Sequence, residues 1–323
     1  MADQSPATSY LRIMVFGAGT MGHGIALLAG KSGHMVFLVD VDSEALHRAV
    51  KLIRSHLDWF QEEKEISEPL EAVLSRIKPV QNFEDVIGSC DLIIEAITED
   101  QILKSELFKQ IAPLKSEPSI VVSNTSYLDV FALAPEKMLS RFAIAHFFVP
   151  PYLVPLVEVV GNDQTDTDVI PWLMEVLRRM GQQPIYLKRF IPGFIVNRLQ
   201  RAMGREMFHL LEEGIASPED IDAAVKASFA IRVPVVGIAQ KLDLTGLDLV
   251  LKILKNPSID LATEDRIPRI LQERVDAGDY GVKTGKGLYD YGNRPMEEIT
   301  RKLNRKFLAV RRFMEKGISG GSK

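Results

Sequence analysis

Six residues, Gly17-Ala18-Gly19-Thr20-Met21-Gly22, restrict what this chain can fold into more than any other segment. They follow the apolar run Arg12–Phe16 and open a pattern in which Met21, Ile25, Leu28 and Ala29 repeat at helical spacing. A second apolar run, Met35–Val39, ends at Asp40, 18 positions beyond Gly22. Strand, glycine turn, helix, strand and acid in this order describe a βαβ unit built around a phosphate. Gly17 makes the tight turn, Gly19 lets the backbone approach a pyrophosphate, and Gly22 permits close packing of helix on strand. The helix N-terminus adds free N–H groups and the positive end of its dipole. Asp40 can accept both hydroxyls of a ribose diol and would repel a 2′-phosphate. Val41 and Asp42 follow it, so no arginine offsets that repulsion. The segment predicts a dinucleotide site that takes NAD in preference to NADP. A plain glycine-rich turn is the alternative, and the complete context argues against it.

The alternation continues along the chain. Leu92–Ala96, Ile120–Ser123, Phe142–Phe147, Leu156–Val160 and Pro184–Leu187 read as strands, with helical patterns at Gln101–Leu114 and Asp166–Met180. This predicts an α/β fold, a doubly wound, Rossmann-type, mostly parallel sheet. Residues 42–78 read as a charged helical arm standing off that sheet. Beyond Pro192-Gly193 the strand signal ends and an all-α region follows. Its first helix is closed by Gly214, and its second starts with Ser217 as cap and Pro218 in the first turn. The expected domains are residues 1–190, binding the dinucleotide, and residues 191–323, helical.

Charge and composition narrow the partners. At 323 residues and 46% hydrophobic, the chain can bury two cores. A net charge of −4 offers no basic footprint for nucleic acid. A single cysteine, Cys90, excludes an intrachain disulfide and suits a reducing compartment. The N-terminus, MADQSPATSY, has no signal or transit character, and no apolar run reaches membrane-spanning length. A soluble, cytoplasmic protein is the expectation, with no low-complexity tract beyond the tail Gly317–Lys323.

Chemistry is suggested by residues 141–160. His146 ends one apolar run, and a lone acid, Glu158, lies inside the next, Leu-Val-Pro-Leu-Val-Glu-Val-Val. An isolated carboxylate in a Val/Leu strand is costly without a partner, and an imidazole is a suitable one. The two look like a base and its orienter on adjacent strands. A core histidine bonded to a core acid, with no chemistry, is the alternative. The other histidines, His23, His34, His47, His56 and His209, have no zinc spacing, so no metal is expected. No Gly-x-Ser-x-Gly elbow occurs either.

The glycine motif, Glu95-Ala96-Ile97-Thr98-Glu99, Ser123-Asn124-Thr125-Ser126, His146-Phe147-Phe148, Leu156-Val157-Glu158-Val159-Val160 and Pro192–Arg198 occur in this order. Together with Gly281–Tyr291 they closely resemble the L-3-hydroxyacyl-CoA dehydrogenase family. The resemblance implies that His146 is the general base, oriented by Glu158, and that Ser126 and Asn197 hydrogen-bond the reacting oxygen. It further implies that Glu99 and Lys104 contact the nicotinamide-side ribose or phosphates of NAD, and that the helical domain carries substrate contacts and a homodimer interface. Each residue has a plainer alternative. Ser126 could cap a helix suggested by Tyr127–Ala134, Asn197 could be a surface polar residue, and Glu99 and Lys104 could form a solvated pair.

Three features depart from the acyl-CoA members of that family. Val149 stands where they have Asn. The arm, expected by resemblance to help hold CoA phosphates, carries Glu62, Glu63, Glu65, Glu68 and Glu71 against Lys64, unless cations such as Lys51 or Arg54 take over. Ser228–Pro234 lacks glycine and presents Arg232, suited to grip a free carboxylate or else to pair with Asp243 or Glu219. The run from Pro150 to Val160 also resembles the branch acting on free hydroxy acids, which includes lambda-crystallin and gulonate dehydrogenase. The first expectation is an NAD-dependent 3-hydroxyacyl-CoA dehydrogenase. The second is a dehydrogenase of a free hydroxy acid held by Arg232. A third, a non-catalytic NAD-binding structural protein, has no need of Ser126, His146, Glu158 and Asn197 together.

Overall fold

The computed structural model describes residues 10–319 except 264 and 293. Most of the polar N-terminus (residues 1–9) and the end of the Gly/Ser tail (320–323) lie outside the described residues. The described strands are β1 (Arg12–Phe16), β2 (Met35–Val39), β3 (Ile77–Val80), β4 (Leu92–Glu95), β5 (Ile120–Ser123), β6 (Phe142–Phe147), β7 (Leu156–Gly161) and β8 (Gln183–Leu187). They form one sheet in the order β3-β2-β1-β4-β5-β6-β7-β8. Every neighbouring pair is parallel except β6 and β7. The fold is the expected Rossmann-type α/β sheet followed by helices. Ile13, Met14, Val15, Ile93 and Val121 are fully buried, as befits central strands covered on both faces.

Two local expectations change. β3 was not expected, because Lys78 and Pro79 break its apolar run. An edge strand tolerates both, since only one of its sides joins the sheet. The arm, helices α2 (Ser43–Glu62) and α3 (Leu70–Ser75), does not stand off as expected. Leu46, Ala49, Ile53, Leu57 and Phe60 bury one face of α2 at helical spacing. The His56 ring lies 4.4 Å from Tyr152 and 5.6 Å from His23, fastening α2 to helix α1 (Gly22–Lys31).

By its internal contacts the chain divides after Phe194. The second unit is helical, and it opens with Val196–Glu212, after which Gly214 has φ +66°. Ser217 accepts from the Asp220 N–H while the Asp220 carboxylate receives the Ser217 N–H, a reciprocal cap with Pro218 in the first turn. Helix Ala230–Thr245 is interrupted at Gly237, whose φ is +68°. Large apolar side chains of this unit, including Leu247, Leu254, Val310 and Phe313, are exposed.

Candidate active site

The glycine loop is built as its sequence requires. Gly17 has φ +93°, and a Cβ there would meet the Ala96 carbonyl oxygen at 2.5 Å. A Cβ on Gly22 would lie 1.7 Å from the Gly17 carbonyl oxygen. Gly19 faces open space, with nothing within 4 Å of its would-be Cβ. Asp40 stands at the rim, where its carboxylate accepts from the N–H of Ala18 at 2.7 Å and of Asp42 at 3.0 Å. A cavity of about 420 Å³ opens here, lined by Gly17, Gly19, Asp40, Val41, Ala96 and Thr98 among others. It lies at the C-terminal ends of β1, β2 and β4, where open α/β sheets take ligands. An open glycine, a helix start and a rim carboxylate fit a dinucleotide.

His146 and Glu158 face each other directly across the antiparallel β6–β7 ladder. Residues so paired have neighbouring side chains on one face of the sheet. Nδ1 of His146 lies 3.0 Å from a Glu158 carboxylate oxygen. Glu158 is 0% exposed and His146 only 4%. The imidazole is also boxed by Phe148 and Phe194, ring centroids 4.6 and 5.1 Å away. Glu158 thereby fixes the orientation of the ring through Nδ1.

Sequence reasoning overlooked Glu95 as a site residue. It ends β4 with no exposure. One carboxylate oxygen accepts from Lys104 Nζ at 2.5 Å and from the Ile97 N–H at 2.9 Å, and the other accepts from the Ser123 hydroxyl. Burial pushes this carboxyl up from its ordinary range, opposed by the Lys104 charge and the surrounding donors. The signal was present: an acid closing the apolar run Leu-Ile-Ile-Glu is the pattern that singled out Glu158.

Glu99 and Lys104 are not a solvated pair. Lys104, on helix α5 (Gln101–Ile111), which follows the single-turn α4 (Glu84–Ile87), is 1% exposed and lies 3.2 Å from Glu99 as well as against Glu95. Glu99 accepts from the Thr125 hydroxyl at 2.6 Å, the Ser126 N–H at 2.7 Å and the Tyr127 N–H at 3.2 Å. Burial raises the Glu99 pKa, but the Thr125 hydroxyl, the Lys104 charge and the Ser126 N–H outweigh it and leave the carboxyl below its ordinary value. These bonds also explain why Tyr127–Ala134 forms turns instead of the helix that Ser126 could have capped. Asn124 completes the frame, its Oδ1 accepting from the Phe147 N–H at 2.8 Å. The turn carrying Ser126 is thus tied to the strand end that carries His146.

Two expected site residues belong to the second unit. Asn197 lies in the first turn of Val196–Glu212. Arg232 is exposed, and it donates to the Ser228 hydroxyl at 2.8 Å and the Ser228 carbonyl at 3.3 Å, rather than pairing with Asp243 or Glu219. On the arm, Arg54 is engaged by Glu71 at 2.6 Å, and Arg76 donates to both oxygens of Glu68. Among the described residues, no helix is long and apolar enough to cross a membrane.

Comparison with known proteins follows the same lines. The NAD-binding domain of 3-hydroxyacyl-CoA dehydrogenase matches residues 12–190, and the C-terminal domain of 3-hydroxyacyl-CoA dehydrogenase matches residues 193–291. A probable 3-hydroxybutyryl-CoA dehydrogenase of Deinococcus radiodurans is 34% identical over 283 residues, covering 87% of this chain and all of that protein. The 5-formyl-3-hydroxy-2-methylpyridine 4-carboxylate 5-dehydrogenase of Mesorhizobium japonicum is 29% identical over 308 residues, covering 94% and 98%. A crystal structure of a dehydrogenase of that pyridine carboxylic acid, described as an NAD+-dependent dismutase, superposes with a TM-score of 0.85 at 28% identity, covering 95% and 99%.

Proposed function

Because this chain belongs to the 3-hydroxyacyl-CoA dehydrogenase family, and so is an NAD-dependent dehydrogenase acting on a hydroxyl group, we propose that its substrate is a small free hydroxy acid. The arm carries this reading. Polyphosphate recognition needs cations that are available to the ligand. Here Arg54 is committed to Glu71 and Arg76 to Glu68, in a segment rich in carboxylates, so that of the two cations named for this task only the exposed Lys51 is left. Val149, 61% exposed, presents hydrocarbon where an amide is expected of acyl-CoA members. The likeness to a pyridine carboxylate dehydrogenase supports the same reading. The acyl-CoA reading has its own support in relatives at 34–36% identity.

When bound, NAD supplies the hydride acceptor. His146 takes the hydroxyl proton at Nε2 as the carbon–hydrogen bond breaks, and Glu158 stabilises the resulting imidazolium. Ser126 and Asn197 donate to the reacting oxygen, and Arg232 grips the free carboxylate. Glu99, the less buried partner of Lys104, meets the cofactor, while Lys104 acts through it.

The experiment is a substrate panel followed by NADH absorbance. Free hydroxy acids are expected to turn over, and Arg232→Ala is expected to lower kcat/KM for them about tenfold or more. That is the scale of one lost charge-assisted hydrogen bond, about 1.5–3 kcal/mol. Efficient turnover of acetoacetyl-CoA with no response to free acids would overturn the reading.

Asp40 sets cofactor choice in this scheme. Wild-type protein is expected to bind NAD well ahead of NADP, and Asp40→Ala to narrow the gap by removing both the diol contact and the repulsion. Titration of both cofactors decides it, and equal wild-type affinities would sink the assignment. We also infer a homodimer through the helical unit, supported by its exposed Leu247, Leu254, Val310 and Phe313. Light scattering should report twice the 36.1 kDa chain mass, and a monomer would contradict it.

A further inference from the structure

The buried acid Glu95 has no part in the chemistry proposed above and the buried Lys104 enters it only through Glu99, yet the two occupy the junction of four segments. Glu95 ends β4, Ser123 ends β5, Lys104 lies on α5, and Ile97 lies in the turn between β4 and α5. From that junction two contacts lead outward, from Lys104 to Glu99 at 3.2 Å and from the Thr125 N–H to the Ser123 hydroxyl oxygen at 3.2 Å. Glu99 in turn receives the N–H groups of Ser126 and Tyr127.

We propose that Glu95 and Lys104 are a positioning pair: Glu95 anchors the Lys104 ammonium, and Lys104 holds Glu99 as the acceptor that shapes the Ser126 turn. The physical need is clear. A half-buried carboxylate that must accept three hydrogen bonds works best while it is deprotonated. All three donors share Oε1, whereas Lys104 faces Oε2. A proton taken up at Oε2 leaves Oε1 a neutral carbonyl acceptor, which holds those donors more weakly than a carboxylate does. The charged and titratable groups around it are few. Lys104 faces it from α5, Glu95 lies beyond Lys104 on β4, and Asp100, next in sequence, spends its carboxylate on the N–H groups of Ile102 and Leu103. Lys104 is therefore the cation on which Glu99 depends. A lysine free to move would not hold it, and Glu95 is what removes that freedom. The sign follows. Without Lys104, the Glu99 carboxyl takes up its proton at higher pH, and the Ser126 turn loosens as pH falls through the new value.

The use of this turn by cofactor and substrate rests on the function proposed above, whereas the coupling itself does not. The test separates them. Lys104→Met alone leaves Glu95 buried without its cation and can fail to fold, so the informative protein is the neutral pair Glu95→Gln with Lys104→Met. Hydrogen exchange read by mass spectrometry on peptides spanning residues 123–128, corrected for intrinsic rates, is compared between pH 5 and pH 8. The expected result is wild-type protection at both pH values. In the neutral pair, protection of this segment should fall about tenfold more at pH 5 than at pH 8, with the rest of the sheet unchanged. Adding Glu99→Gln to the neutral pair should abolish that pH dependence. A folded neutral pair whose 123–128 protection matches wild type at both pH values would overturn the proposal. NADH fluorescence titrations on the same proteins report on the cofactor reading. An NADH affinity that ignores both Glu99→Gln and the neutral pair, beside altered exchange, would reject the contact of Glu99 with cofactor and uphold the positioning pair.

Discussion

His146→Gln lowers turnover by about 10²–10⁴-fold, the range contributed by a positioned general base, while NAD affinity stays within about twofold of wild type. Glutamine keeps a donor that Glu158 can accept, and its amide is close to imidazole in size, so the β6–β7 ladder has no reason to move. It cannot take up a proton at neutral pH, and that is the property removed. kcat and kcat/KM should fall together, because the lost interaction belongs to the transition state. Glu158→Gln should also slow turnover, by a smaller factor, since Nε2 remains but the imidazolium loses its counter-charge. Steady-state kinetics with NAD titration on each variant checks both statements. Wild-type turnover in His146→Gln would place the base elsewhere.

The two glycines of the dinucleotide turn should separate folding from binding. In Gly22→Ala the new methyl meets the Gly17 carbonyl oxygen at 1.7 Å, backbone against backbone, so helix α1 must move away from β1. Overpacking of this kind costs about 1–3 kcal/mol and occasionally more, and the displaced helix start also loses its aim at the phosphates. Both thermal midpoint and NAD affinity should drop. Gly19→Ala adds a methyl to open space, and the thermal midpoint should hold. NAD affinity should still fall by about tenfold or more, as the methyl occupies the side from which the pyrophosphate approaches. Differential scanning fluorimetry with NAD titration reads both. Unchanged NAD affinity in Gly19→Ala would show that the phosphates lie elsewhere.

Much of this was legible before any coordinates. The βαβ unit was readable because its signals are local: glycines at fixed offsets, an apolar run on each side and an acid at the second strand end. The His146–Glu158 pair was readable for a different reason, since an acid within Leu-Val-Glu-Val-Val has few ways to exist unpaired. Glu95 obeys the same logic but closes its run, and a strand end is where an acid is ordinarily solvated. Its partner Lys104 lies nine positions on in another element, at the start of an amphipathic helix where lysines usually reach water. The turn after Thr125 misled for a related reason: Glu99, 26 residues earlier, captures the donors that would otherwise start a helix. β3 was hidden by Pro79, and the packing of the arm by aromatic contacts between segments far apart in sequence. Local chemistry and one acid buried within a strand could be read from the chain, whereas pairings that join a strand end to a helix or a turn could not.

The antiparallel turnback between β6 and β7 has a consequence for how such a protein can be re-tooled. The His146–Glu158 pair is locked in a hydrogen-bonded ladder, while the connection that leaves it, residues 148–155, is covalently a single hairpin. Tyr152 and Leu153 anchor that connection from beneath, at 4% and 3% exposure, and Val149 at its outer edge is 61% exposed. Diversity introduced at Val149 alters the surface next to the chemistry without touching the register that sets it. Libraries there should recruit new substrates at nearly constant stability, whereas equal diversity inside the ladder would exchange the engine for nothing.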